Sequence, residues 1–231
     1  MRAASLLPCA ALLLIAAAPA AKTPLLLTPS NFDPALLLPP PPADDSLAGR
    51  EELAELHRID QTRIDADIEQ AKHDDHVKDV TIFADAIGPG FDLARLPATA
   101  ALFRTIRAEE KAAADRAKDH FRRRRPWIVD PSLHSCFTDD EPQSSYPSGH
   151  ATMGYAMGEI LARLIPSHAP AIMARAASYA RARLVCEVHF PADVAAGQAY
   201  GMMVAERLMQ LPAFRAQFDA AAAELNATHM R

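Results

Sequence analysis

Apolar residues recur every three or four positions along most of this chain, which is the period of a helix that buries one face. The first such segment follows N-cap candidates at 44–46 and places five side chains on one stripe: Leu53, Leu56, Ile59, Ile64 and Ile68. Only the step from Ile59 to Ile64 is five residues long. The pattern therefore predicts one helix that ends near residues 73–76.

The same period continues toward the C-terminus. A long helix is predicted from about Ala98 to Arg123, where Pro126 stops it, with Leu102, Ile106 and Ala113 on its apolar face. Ser148 is the predicted N-cap of a helix with the inward side chains Met153, Met157, Ile160, Leu161 and Leu164. Further helices fit 169–184, 191–210 and 212–226.

No run of alternating apolar and polar residues indicates a strand, so the predicted fold class is all-α, a single-domain compact helical bundle. Two glycine pairs, Gly154 with Gly158 and Gly197 with Gly201, are spaced four apart within predicted helices. We interpret both pairs as sites of close contact between helices in the core.

The first twenty residues follow another pattern. Arg2 precedes an apolar run from Cys9 to Ala18, and Ala18-Pro19-Ala20 is a small-residue cleavage site. This predicts a secretory signal, residues 1–20, cut to release a periplasmic protein, and the alternative is an uncleaved membrane anchor. A proline-rich extended segment at 21–43 and a helical domain at 44–231 are expected to follow.

Charge and cysteine content narrow the class of protein. Without Arg2 the chain carries 23 basic and 29 acidic residues, a mildly negative balance that disfavours nucleic-acid binding. No later apolar run has the length of a membrane span. In an oxidising compartment the two remaining cysteines, Cys136 and Cys186, are predicted to form a disulfide, with two separate buried thiols as the alternative.

The segment Pro147-Ser148-Gly149-His150 suits a phosphoryl group. A helix N-terminus presents unpaired N–H groups and a partial positive charge, and both favour an anion. Ser148 adds a hydroxyl donor, Gly149 lets the anion approach the backbone, and His150 stands in the first turn. An ordinary helix cap with an exposed histidine is the alternative.

A second segment pairs a histidine with a carboxylate. Pro191 fits a first helical turn, so His189 and Asp193, four residues apart, are predicted to meet across one turn. Asp193 would accept a hydrogen bond from one imidazole nitrogen and leave the other as a nucleophile. The alternative is a His–Asp pair with a purely structural role.

The third segment is cationic. Lys118 and Arg125, seven apart, are predicted to share a helical face and to grip one phosphate, while most of the four arginines at 122–125 are expected to be solvated. Farther upstream, His73-Asp74-Asp75-His76 has the composition of a metal site, but a solvated helix end is the favoured interpretation. No metal ligand is predicted.

The chain carries, in this order, Lys118, Arg125-Pro126, residues 147–150, and Arg183 with His189 and Asp193. This order resembles the signature of the type 2 phosphatidic acid phosphatase superfamily. Within it the chain is most similar to bacterial class A non-specific acid phosphatases, which also share the 37–42 segment, Ser145-Tyr146 and both cysteines. Four residues depart from the usual family pattern: Ala151, Ala182, Phe190 and Pro191.

The resemblance implies an acid phosphatase that needs no cofactor and acts on a broad range of small phosphomonoesters. In it, His189 would attack phosphorus to form a phosphohistidine, Asp193 would orient His189, and His150 would protonate the leaving group. The implied phosphate ligands are Lys118, Arg125, Ser148, Gly149 and Arg183. The family likeness also implies a homo-oligomer and leaves transfer to an alcohol open.

Two other functions fit parts of the same pattern. A vanadium-dependent haloperoxidase would hold vanadate in the same cage of cations. A periplasmic protein that binds phosphate without turnover would keep the cations but would not need His150, His189 and Asp193 in this order. A membrane lipid phosphatase is disfavoured because the chain lacks spanning segments.

Overall fold

The computed structural model describes residues 25–228, so the predicted signal segment 1–20 lies outside the described residues. Within that range every regular element is helical, which confirms the all-α prediction. The helices are α1 (Pro34–Leu37), α2 (Leu47–Thr62), α3 (Asp65–His76), α4 (Ala84–Ile87), α5 (Pro97–Phe121), α6 (Pro126–Val129), α7 (Gly149–Leu164), α8 (Ala169–Val185), α9 (Pro191–Met209) and α10 (Pro212–Ala227). Short 3₁₀ turns occupy Val80–Phe83 and Pro166–His168.

Helix α7 lies at the centre of the fold. It packs against α5, α8 and α9, while α10 closes the core against α5. The five side chains predicted to face inward from α7 are all buried: Met153, Met157, Ile160, Leu161 and Leu164. Because apolar surface removed from water is the main stabilising term in folding, this helix anchors the elements around it.

The paired glycines bring α9 against the first turns of α7. A Cβ atom on Gly197 would lie 2.5 Å from the Ser148 carbonyl oxygen, and one on Gly201 would collide with the Thr152 carbonyl oxygen. Close backbone contact there requires residues without a side chain. As a result the Ser148 N–H donates a 2.9 Å hydrogen bond to the Asp193 carbonyl, which joins two of the predicted site segments.

The N-terminal segment is bound to the helical domain by polar contacts. The carboxylate of Glu109 accepts hydrogen bonds from the backbone N–H groups of Leu26 and Leu27, at 2.7 and 2.9 Å. Farther along, the Tyr146 hydroxyl donates to the Pro39 carbonyl at 2.8 Å. Residues 39–43 are not helical, as the proline run requires.

The prediction of one helix from residue 47 to about residue 76 is wrong. The helix breaks between Thr62 and Asp65, where Arg63 adopts an extended backbone with ψ of 140°. The break falls at the five-residue step, and Ile64 is 63 % exposed instead of buried. Arg63 turns its guanidinium to the His134 carbonyl at 2.9 Å, so a tertiary contact replaces helical continuity.

The predicted end of the long helix is also wrong. Helix α5 stops at Phe121 because Arg122 adopts a left-handed conformation, with φ of 50°. Pro126 begins α6 instead of ending α5, and Arg125 is the N-cap of α6. Lys118 and Arg125 therefore do not share a helical face.

Cys136 and Cys186 form the predicted disulfide, with 4.9 Å between their Cα atoms. The bridge attaches the loop that precedes α7 to the end of α8, next to the segment that leads to His189. A backbone hydrogen bond of 3.0 Å from Cys136 N–H to the Cys186 carbonyl lies beside it. Among residues 25–228 no helix is long and apolar enough to cross a membrane.

Candidate active site

A cavity of about 230 Å³ opens where the end of α5, the start of α7 and the loop before α9 converge. Five of the predicted site residues line it: Lys118, Arg125, Gly149, His150 and His189. A larger cavity of about 780 Å³, beside Phe32 and Met202, contains none of them. The smaller cavity is the candidate site because positive side chains and both motif histidines meet there.

Arg125 and His189 are in direct contact at the bottom of this cavity. The Arg125 Nη1 atom lies 2.9 Å from His189 Nε2 and 2.7 Å from the Val188 carbonyl oxygen. Because a guanidinium only donates, Nε2 must accept and therefore carries a lone pair. Arg125 is 2 % exposed and His189 is 1 % exposed, so this contact is shielded from bulk water.

Lys118 reaches the same point from α5. A Cβ atom placed on Gly149 would lie 3.6 Å from Lys118 Nζ, so the ammonium stands over the backbone at the start of α7. Ser148 caps that helix, and its Oγ accepts from the Ala151 N–H at 3.4 Å, as predicted for an N-cap. The helix N-terminus and the lysine thus present positive charge to one position.

Arg183 and the cavity-lining residue His150 both contact Asp75. Arg183 Nη1 donates to Asp75 Oδ1 at 2.6 Å, and His150 Nε2 lies 3.2 Å from the Asp75 carbonyl oxygen. A carbonyl only accepts, so in this arrangement Nε2 of His150 carries a proton. The prediction that residues 73–76 form a solvated helix end is wrong for Asp75, and also for the buried Asp74.

Asp193 is fully buried and holds several groups at once. Its Oδ1 accepts from Arg123 Nη1 at 2.6 Å, and its Oδ2 accepts from Ser145 Oγ at 2.5 Å and from the Phe190 N–H at 2.8 Å. The His189 Nδ1 atom lies 3.5 Å from the same Oδ2. The contact is not made across a helical turn as predicted, because His189 precedes the N-cap of α9 and Asp193 is its third residue.

Burial and positive charge set the protonation states in the cavity. Desolvation, and then Arg183, lower the pKa of His150 well below its usual value, and desolvation with Arg125 does the same for the pKa of His189. Desolvation, and then Arg125, lower the pKa of Lys118 to about 8. Burial raises the pKa of Glu110, which also lines the cavity, to about 8. At acidic pH the lysine is therefore charged and the glutamate neutral.

The buried guanidinium groups retain unused donors. Among the described residues, the Nε atoms of Arg125 and Arg183 have no hydrogen-bond partner. These two donors are available to an acceptor such as a phosphoryl oxygen. Three cations, a helix N-terminus and two histidines together form a site for a small anion with several oxygens.

Four residues that support the site were not predicted: Glu52, Arg123, Ser145 and Asp75. Glu52 is part of a buried network, since it accepts from Arg123 at 2.5 Å and from the Ala192 N–H at 2.6 Å. Arg123 belongs to the run of four arginines at 122–125, most of which the sequence predicts to be solvated. Arg123 and Arg125 are buried, whereas Arg122 and Arg124 are exposed.

The departures from the family pattern fill apolar positions. Ala151 and Ala182 are buried, and Phe190 is 1 % exposed with its ring 4.2 Å from the Arg123 guanidinium carbon. Pro191 is the first residue of α9, where its missing N–H costs no hydrogen bond. None of the four adds or removes charge in the cavity.

We expect Arg123→Ala to lower the free energy of unfolding by about 3–5 kcal/mol, because it leaves Glu52 and Asp193 as buried carboxylates without their cation. Urea unfolding measures the loss. The matched control is Arg124→Ala, because the side chain of Arg124 is 51 % exposed and pairs with Asp44 at the surface. The control should change the unfolding free energy by less than about 1 kcal/mol. Equal losses in the two variants would contradict the importance of the buried network.

Part of the chain is similar to known proteins. Residues 98–216 match the model of the PAP2 superfamily. The chain is 40 % identical over 119 residues to an acid phosphatase of Zymomonas mobilis, a match that covers 50 % of this chain and 45 % of that relative. It is 32 % identical over 115 residues to a non-specific acid phosphatase of Salmonella typhimurium, covering 48 % of this chain and 45 % of the relative.

The family match covers more than half of the chain and includes the eight residues predicted for the site, from Lys118 to Asp193. The protein therefore belongs to the PAP2 superfamily. The chain spans less than half the length of the two acid phosphatases that it matches.

Proposed function

We propose that this protein is an exported, periplasmic acid phosphatase that hydrolyses a broad range of phosphomonoesters through a phosphohistidine intermediate. The observation that carries the proposal is the contact between Arg125 and His189 Nε2, because it directs a lone pair into a cage of cations. The similarity to proteins named acid phosphatase supports the same reaction. The homo-oligomer implied by the family likeness stays part of the proposal.

In the first step, Nε2 of His189 attacks phosphorus and the bond to the ester oxygen breaks. The guanidinium of Arg125 leaves Nε2 and binds an equatorial oxygen of the phosphoryl group, together with Lys118 and Arg183. These cations stabilise the charge that develops in the transition state, which is the largest contribution in most phosphoryl transfers. The backbone N–H of Gly149 and the hydroxyl of Ser148 supply further donors.

The positive charge that forms on His189 is stabilised from behind. The Nδ1 proton faces Asp193, whose carboxylate is held by Arg123, Ser145 and the Phe190 N–H. The 3.5 Å separation between Nδ1 and Oδ2 is long for a hydrogen bond, and such contacts commonly tighten when the complex forms. Asp193 therefore acts by positioning the nucleophile and by stabilising its cationic form.

His150 serves the other side of the reaction. Bound substrate favours the imidazolium form of His150, and this form transfers a proton to the departing alkoxide, which leaves as an alcohol. The neutral imidazole then accepts a proton from a water molecule that attacks the phosphohistidine. This second attack releases phosphate and restores His189. Since Lys118, Arg125 and Arg183 already supply three positive charges, the proposed mechanism requires no metal ion.

The test is hydrolysis of p-nitrophenyl phosphate by the purified mature protein from about pH 4 to about pH 8 in the presence of EDTA. Turnover that survives chelation supports the metal-independent mechanism. Absence of turnover at every pH, from protein shown to be folded and oxidised, would overturn the proposal. Addition of vanadate, peroxide and a halide acceptor to the same protein then tests for haloperoxidase activity.

The pH dependence of kcat/KM reports the pKa values of the free enzyme, and that of kcat reports those of the enzyme–substrate complex. In the free enzyme, burial and Arg183 lower the pKa of His150, so kcat/KM should fall as the pH rises through a value below about 6.5. A bound phosphoryl group adds negative charge beside His150 and raises its pKa. We therefore expect the basic limb of kcat at a higher pH than that of kcat/KM. A basic limb of kcat at a lower pH than that of kcat/KM would contradict this mechanism.

A further inference from the structure

Asp75 is a carboxylate that contacts two residues of the proposed site, Arg183 and His150. Its Oδ1 lies 2.6 Å from Arg183 Nη1 and 3.5 Å from His150 Nε2. The Arg183 side chain is 1 % exposed and that of Asp75 is 16 % exposed, so the ion pair is largely shielded from water. The proposed phosphate ligand Arg183 is thus already bound by a negative group of the protein itself.

The neighbouring residue fixes the position of Asp75. Asp74 accepts hydrogen bonds from Arg175 at 2.9 and 2.7 Å, and Arg175 also donates to the Ile82 carbonyl at 2.9 Å. These contacts attach the last turn of α3 to α8 without any contribution from the Asp75 side chain. The backbone carbonyl of Asp75 meanwhile contacts His150. The carboxylate of Asp75 is therefore not needed to place α3.

A phosphoryl group and the Asp75 carboxylate compete for the same donor. Arg183 Nη1 is used by Asp75, whereas Arg183 Nε has no partner among the described residues. A phosphoryl oxygen that binds Arg183 has to take the Nη1 donor or bind beside the Asp75 carboxylate, a second anion on the same guanidinium. Two like charges a few ångströms apart disfavour one another in a shielded site, typically by one or more orders of magnitude in binding.

We propose that the Asp75 carboxylate weakens the binding of phosphate to the site by competing for Arg183. The inference rests on the proposed function of the site as a phosphoryl-binding centre. Because phosphate is also the product of the proposed reaction, weaker binding should make its release faster. In this proposal the Asp75 carboxylate acts on phosphate binding through Arg183.

The experiment measures the dissociation constant of inorganic phosphate at about pH 6 by isothermal titration calorimetry, with wild type and Asp75→Asn. Asparagine keeps the size of the side chain and removes its charge. We expect Asp75→Asn to bind phosphate about tenfold more tightly. Damage to the fold or to the orientation of Arg183 would weaken binding, so the direction of the change separates competition from a structural role.

Glu69→Gln is the matched control, because this carboxylate also lies on α3 and its side chain is 73 % exposed at the surface, where it pairs with Lys72. Its phosphate affinity should equal that of wild type. Asp75→Ser, which removes both the charge and the reach of the side chain, provides a second variant if Asp75→Asn fails to fold. Unchanged or weaker phosphate binding in a folded Asp75 variant overturns the proposal.

The binding measurement is independent of catalysis. A wild-type protein that binds phosphate but does not hydrolyse p-nitrophenyl phosphate would refute the proposed function and leave the competition at Arg183 testable. A wild-type protein that turns over substrate, with no gain in phosphate affinity in the Asp75 variants, would refute the inference alone.

Discussion

Replacement of His189 by alanine should abolish the phosphoenzyme and reduce kcat on the order of 10⁴-fold or more, because no other group occupies the position of the attacking nitrogen. His189 is the residue whose Nε2 lone pair faces the cationic cage through Arg125. Acid-stable and acid-labile phosphoprotein must be distinguished, since phosphohistidine is lost in acid. Rapid quenching into base after mixing with ³²P-labelled substrate measures the intermediate.

A histidine outside the site provides the control for this variant. The His73 side chain lies on α3, is 69 % exposed and does not line the cavity, so His73→Ala should retain full labelling. If His189→Ala still accumulates base-stable labelled phosphate on the protein, another residue is the nucleophile. Equal unfolding transitions of the variants and wild type confirm that loss of labelling is chemical.

Replacement of His150 by alanine should lower kcat/KM on the order of 10²- to 10⁴-fold, the usual contribution of a general acid. The loss should depend on the leaving group, because a good leaving group needs little protonation. p-Nitrophenyl phosphate should therefore lose least, and an alkyl phosphate such as glycerol phosphate should lose most. A series of aryl phosphates with graded phenol pKa values measures this dependence.

The labelling experiment distinguishes the two histidines. His150→Ala should still form the phosphohistidine from p-nitrophenyl phosphate, because His189 and the cations are intact. A uniform loss over all leaving groups would show that His150 acts in binding or folding and not as the proton donor. Its 5.7 Å ring contact with Tyr179 makes a check of the unfolding transition necessary.

Several features of the fold follow from local chemistry, which is why the sequence predicts them. The inward face of α7 comes from the 3.6-residue period, and its start comes from the capping oxygen of Ser148. The beginning of α9 follows from Pro191, whose fixed φ suits a first helical turn. Gly197 and Gly201 predict close packing because only a residue without a side chain allows it.

Other features depend on residues that are distant in the sequence. The break between α2 and α3 follows from the contact of Arg63 with the loop at His134, and no local signal except the five-residue step indicates it. Arg123 is buried because Glu52 and Asp193 meet it, at sequence separations of 71 and 70 residues. Nothing in the sequence alone indicates that Glu52 or Asp193 pairs with Arg123.

The sequence by itself determined the helical class and the ordered set of cations and histidines, because these depend on residue type and short-range spacing. Only the tertiary structure decided how those residues meet: Lys118 and Arg125 come from different elements, and Asp193 reaches His189 from within α9. It also decided that Asp75 lies on Arg183, a contact across 108 residues. Long-range contacts of this kind are fixed by how whole helices pack, and no local pattern encodes them.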